Sequence, residues 1–141
     1  MTELQAALGL SQVQRLGEFV AKRHILQQRY DDLLTGLPLV TPYQTPTSYS
    51  SLHLYPIQIE LSQVIKSREL IFQELRESGV GVNVHYIPVH TQPYYQLMGF
   101  QCGDFPVAEA YYSRAITLPL FYEMDFEQQD KVIQVLGEVL Q

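Results

Sequence analysis

Apolar side chains recur at helical spacing from the start of the chain: Leu4, Ala7, Leu8, Val13, Leu16, Phe19 and Val20, then Leu26, Tyr30, Leu33 and Leu34. Thr2 and Gln5 spell a capping box, in which the Thr2 hydroxyl accepts from the Gln5 amide and the Gln5 side chain accepts from the Thr2 amide. A helix is therefore expected to open at the second residue. Gly9 and Gly17 weaken the pattern, and Gly17 is the expected break between two helices. Thr35-Gly36-Leu37-Pro38 ends the arm, with Gly36 as the candidate C-cap.

The pattern then changes. Residues 38–50 carry Pro38, Pro42 and Pro46 among Thr, Ser and Tyr, which is loop composition. "SLHLYPIQIEL" alternates through Leu52, Leu54, Ile57, Ile59 and Leu61 and reads as a strand, which Pro56 should place at an edge or a bulge. Ser67 can cap a helix carrying Leu70, Ile71 and Leu75 and ending at Gly79. Val80, Val82, Val84 and Tyr86 form a second β-type run. Pro93 to Met98 reads as a short helix closed by Gly99, and Asp104 to Ala115 as another, with Pro106 tolerated in its first turn. "ITLPL" is a short extended piece. Asp125 and Gln128 spell a second capping box, opening a final amphipathic helix through Val132, Ile133, Leu136, Val139 and Leu140. The fold class is α/β of the α+β kind: a helical arm over residues 1–36, then a small sheet covered by helices over 37–141.

Composition narrows the function classes. The 141 residues suit one domain, and 46% apolar content is that of a globular chain. A net charge of −6 with scattered Lys and Arg provides no basic stripe for nucleic acid. No apolar run approaches the roughly 20 residues of a membrane span. No basic, apolar leader is visible at the start. The single cysteine, Cys102, excludes an internal disulfide and fits a cytoplasmic protein.

The chemistry concentrates in Gly81 to Tyr95, "GVNVHYIPVHTQPYY". His85 and His90 are five apart, so on one strand they face opposite ways unless Pro88 bends the chain. A metal site would need a third ligand, with His53 and Glu60 as the options, and no familiar ligand spacing supports one. His90 stands before Thr91-Gln92-Pro93 at a strand-to-helix turn, where polar groups commonly meet ligands. The plainer reading is that His85 and Tyr86 satisfy buried hydrogen bonds. Cys102 lies in "FQCGDF" without a basic neighbour to lower its pKa. No Gly-x-Ser-x-Gly elbow or dinucleotide fingerprint is present. Of the ten tyrosines, Tyr94, Tyr95, Tyr111 and Tyr112 on short helices are read as half-buried, with hydroxyls reaching polar partners.

Three stretches in register carry a resemblance: "SSLHLYPIQI", "GVNVHYIPVHTQPYY" and "GDFPVAEAYYSRAITLPLF". With them the chain resembles the C-terminal region of the DegT/DnrJ/EryC1/StrS family, pyridoxal-phosphate-dependent aminotransferases of nucleotide-linked keto sugars. The opening "MTELQAALGLSQVQRL" is similar to the helix that follows the family's catalytic domain. "NVHYIPVHTQPYY" is similar to the branch that aminates UDP-4-keto-6-deoxy-N-acetyl-hexosamines, as in the making of UDP-4-amino-4,6-dideoxy-N-acetyl-altrosamine for pseudaminic acid. The resemblance implies the C-terminal small domain of a fold-type I aminotransferase. It implies that His85, Tyr86, His90 and Gln92 contact the nucleotide sugar, with no catalytic residue and no metal ligand among them.

Such enzymes bind the cofactor through a Schiff-base lysine. The chain has only Lys22, Lys66 and Lys131, none in the family's Schiff-base motif. The resemblance places that lysine in an N-terminal domain preceding Met1, and a helix opening at the second residue agrees with a chain cut from something longer. Pyridoxal phosphate is then expected in the full-length enzyme and not on this chain alone. The apolar face at Leu4, Leu8, Val13 and Leu16 is expected to be exposed, to pack on the absent domain, and to favour a homodimer. Two other readings stand beside this one: an independent interaction module that reuses the small domain, and a small enzyme working through His85 and His90.

Overall fold

The computed structural model describes residues 1–141 as helices around one small sheet. The arm consists of α1 (Glu3–Gln14) and α2 (Leu16–Leu33). The Thr2/Gln5 capping box is formed in both directions. The break falls at Arg15 and not at Gly17. The Arg15 amide turns back to the Gln12 and Val13 carbonyls, and its own carbonyl starts the next helix by accepting from Phe19. Gly17 then lies inside the first turn of α2, where its cost is small. The left-handed residue after α2 is Gly36, at φ 88°.

Three antiparallel strands follow: β1 (Leu39–Val40), β2 (Tyr55–Ile59) and β3 (Ala115–Leu118), in the order β1-β2-β3. Pro56 therefore sits in the central strand, against the expectation of an edge. The hydrogen-bond parity explains why it is tolerated. Ile59 donates to Arg114 on the β3 side, so the amides of Ile57 and Tyr55 face the same way and that of residue 56 faces β1. β1 pairs only with Gln58 and Ile59 and never reaches residue 56. The missing N–H of Pro56 faces a gap in the ladder. Sheet order makes the strand central, while the ladder beside Pro56 is open.

The run Val80–Tyr86, expected as a strand, makes one isolated bridge, Asn83 with Thr117. The third strand is formed by "AITL" instead, and all four of its side chains are buried. α3 (Arg68–Glu77) opens on Ser67, whose hydroxyl accepts from Leu70, and gives way to Gly79 at φ 79°. A 3-10 turn (Val89–Thr91) precedes α4 (Pro93–Gln96), and α5 (Pro106–Tyr112) follows with Pro106 at its first position. α6 (Phe126–Val139) opens on the Asp125/Gln128 box, also closed in both directions.

One core of 19 residues joins α2, the sheet, α3 and α6, with Tyr30, Tyr55, Ile57, Ile116 and Leu136 fully buried. Tyr30 donates to the Pro119 carbonyl, and Tyr55 donates to Asp31, so both buried hydroxyls have partners. Gln129 donates to the Leu26 carbonyl and ties α6 to α2. α1 contributes nothing to this core: none of its residues is buried, and Leu8 is 63% exposed. No helix is long and apolar enough to cross a membrane.

Candidate functional site

The polar, aromatic edge is built outward from β3. Asn83 and Thr117 exchange both backbone hydrogen bonds, at 3.2 and 2.7 Å, which pins the chain just before His85. His85 Nδ1 then lies 2.9 Å from Thr117 Oγ1. The Tyr86 ring meets the His85 ring edge-on at 4.6 Å, and Tyr86 is 71% exposed. The peptide between these two residues is cis.

Pro88 starts the 3-10 turn, and the Thr91 hydroxyl donates back to its carbonyl. This bend carries His90 inward, to 7% exposure, where Nε2 lies 2.7 Å from Glu109 Oε1. The two histidines do not converge. His85 serves β3, and His90 serves α5. No group of three or more His, Cys, Asp and Glu that could hold a metal ion forms anywhere. His53 is exposed. Gln92 stands ahead of α4, exposed, with its side chain making no cap.

Glu109 organises the far side of the edge, a role the sequence reading did not assign. Its carboxylate accepts from the Gly103 amide at 2.8 and 3.0 Å, the Phe105 amide at 3.3 Å and Cys102 Sγ at 3.1 Å, besides the His90 contact. The Cys102 thiol, the Gly103 amide, His90 and the Phe105 amide all favour the charged form and pull its pKa down to about 2. With the carboxylate ionised, His90 Nε2 must carry the shared proton. The same contact pushes the Cys102 thiol upward, which makes Cys102 a poor nucleophile. The readable signal was an acidic residue in the first turn of a helix behind a glycine loop, "CGDFPVAE".

Two open grooves flank Phe105. One, of about 630 Å³, runs between Tyr86 and Tyr111 over Asp104, Pro106 and Val107. The other, of about 330 Å³, is lined by Val89, His90, Tyr95 and Phe100. Pro88, Phe105 and Ala108 form the wall between them. Of the four residues singled out from the sequence, Tyr86 lines the first groove and His90 the second, while His85 and Gln92 line neither. A third groove, of about 500 Å³, lies apart at Gly79, Phe121 and Lys131.

No lysine or arginine lines either aromatic groove. Lys22 sits over the Phe126 ring, and Lys66 is held by Glu74 and the Val139 carbonyl. Lys131 lines the separate groove, against Gly79. A cofactor held through a Schiff base therefore finds no lysine of this chain at the aromatic edge, and the residues present here do not fit it.

The arm, the small antiparallel sheet and the helices over it together form the fold of an aminotransferase small domain. The chain superposes on Spr1654 of Streptococcus pneumoniae, assigned as a sugar aminotransferase, in its PMP form with a TM-score of 0.92 at 34% identity, covering 99% of this chain and 35% of that one. It superposes on Helicobacter pylori PseC, an aminotransferase involved in the biosynthesis of pseudoaminic acid, with a TM-score of 0.89 at 27% identity, covering 99% and 38%. In sequence it is 36% identical to the spore coat polysaccharide biosynthesis protein SpsC of Bacillus subtilis, over 99% of this chain and 37% of that protein. The chain belongs to the DegT/DnrJ/EryC1/StrS aminotransferase family, whose pattern it matches over residues 1–137. It spans little more than a third of the length of these relatives.

Proposed function

We propose that this chain is the C-terminal small domain of a pyridoxal-phosphate-dependent aminotransferase that aminates a UDP-4-keto-6-deoxy-amino sugar for a surface polysaccharide or glycan. The observation that carries this is the superposition of nearly the whole chain on about a third of a sugar aminotransferase, joined to aromatic grooves without a lysine. The lysine, the proton transfers it performs and the cofactor belong to an N-terminal domain outside these residues. Within the arm of residues 1–36, α1 is the part left to pack on that domain, while α2 lies in the core of the small domain formed with residues 37–141. The arm also supports a homodimer, and the working compartment is the cytoplasm.

The role left to this chain is orientation. Tyr86 presents an exposed ring and hydroxyl to a sugar. His85 holds Tyr86 from behind, His90 shapes the second groove, and Gln92 stands at the rim with its amide free for the nucleotide part. The protein of these 141 residues, given pyridoxal phosphate, glutamate and a UDP-4-keto-6-deoxy-N-acetyl-hexosamine, is expected to form no amino sugar. The same sequence joined to its lysine-bearing domain is expected to form it. Product from the 141 residues alone, or none from the joined chain, overturns the reading.

A second reading rests on the exposed apolar side chains of α1. The domain would be an interaction module that binds a complete aminotransferase as a partner and does no chemistry itself. Capture of a partner through α1, by a protein that never carries the cofactor, would favour it.

A further inference from the structure

We propose that Glu109 is the positioning residue of the sugar-facing wall, fixing Phe105 and His90 so that both aromatic grooves keep their shape. The proposal rests on the aminotransferase reading and adds a specificity element to it. Residues 101–105 belong to no helix or strand, and Gly99 and Gly103 beside and within them sit in the left-handed region, at φ 99° and 101°. Glycines in this conformation give the loop little stiffness of its own. Its only other internal ties are between Gln101 and Asp104. The amides of Gly103 and Phe105 both end on Glu109. The Phe105 ring packs on His90 at 4.8 Å and faces Phe100 at 6.2 Å, and His90 is held by the same carboxylate. One side chain thus holds Phe105 in the shared wall and His90 in the second groove.

None of these residues belongs to the 19-residue core, so the effect of Glu109 is local. The wall it holds has a definite chemistry. Asp104 is the one charged side chain in the larger groove, and no cation stands opposite it. A diphosphate is not held here. Phe105, Pro106, Val107 and Tyr86 suit the C–H face and the methyl group of a deoxy sugar. Alanine at position 109 removes both carboxylate oxygens. The Gly103 and Phe105 amides and His90, all held at Oε1, and the Cys102 thiol, held at Oε2, then lose their partner together.

The test is Glu109→Ala, read in two ways. Hydrogen exchange on the protein is expected to speed at the Gly103 and Phe105 amides by about tenfold or more, with Ile57 and Ile116 still protected. In the chain joined to its lysine-bearing domain, KM for the keto sugar is expected to rise about tenfold while kcat stays within about threefold. Unchanged exchange at Gly103 and Phe105, lost protection at Ile57, or a fall in kcat with KM unchanged would each overturn the proposal. A wild-type joined chain without transaminase activity overturns the sugar reading instead, and the exchange data then still decide whether Glu109 holds the wall.

Discussion

Ile57→Ala is expected to bring the fold to the edge of unfolding. Ile57 is fully buried in the central strand, pairs with Ile116, and stands inside the single core. Removing three buried carbons there costs about 2–5 kcal/mol, through lost transfer free energy and the cavity left behind. Total stabilities of about 5–15 kcal/mol leave little after such a loss. Ile65→Ala is the matched control, because Ile65 is 97% exposed and surface changes of this kind stay within about 0.5 kcal/mol. Urea unfolding separates the two, with a large drop in midpoint for Ile57→Ala and none for Ile65→Ala. Equal midpoints for Ile57→Ala and the wild type would mean that the sheet is not the centre of the core.

The second large effect concerns association. Leu8→Lys combined with Leu16→Lys is expected to abolish self-association while leaving the urea midpoint in place. Leu4, Leu8, Val13 and Leu16 are all exposed, and α1 has no buried residue. Exposed apolar side chains without a cover favour association, and paired copies are the commonest way to cover them. Sedimentation is expected to show dimers or larger species for the wild type and monomers for the double variant. A midpoint that falls as far as for Ile57→Ala would place α1 in the core and remove the argument for an arm. A wild-type protein that is already monomeric would remove the argument for a dimer.

The helix ends were the most legible features, because capping is local chemistry. Thr2 with Gln5, Ser67 with Leu70 and Asp125 with Gln128 each close within three residues, and each helix opens where its cap predicts. Gly36, Gly79 and Gly99 mark the turns for the same reason, since each adopts positive φ. The strands were less legible, because pairing joins residues far apart in the chain. The alternation Val80-Val82-Val84 looks like a strand, yet only Asn83 pairs. Val80 and Val82 are buried all the same, so the period reported burial and not ladder formation. β1 has two residues and leaves no pattern to read.

The edge segment itself was legible as a place where polar and aromatic groups gather. Its wiring was not. That His85 meets Thr117 and His90 meets Glu109 depends on contacts across 32 and 19 residues. Glu109 was not singled out: its place in a first helical turn behind a glycine loop was readable, but the arrival of His90 on its carboxylate was not. The motifs in register pointed to the family, and the match over residues 1–137 bears that out.

The measurement that bears most directly on the central claim is the location of the cofactor in the protein as its source cell makes it. The protein is purified, reduced with borohydride to fix any Schiff base, and digested for peptide mapping by mass. The account predicts a phosphopyridoxyl group on a lysine outside the 141 residues, with Lys22, Lys66 and Lys131 unmodified. Stoichiometric label on any of those three, or no label on a protein that nevertheless transaminates the keto sugar, would contradict it.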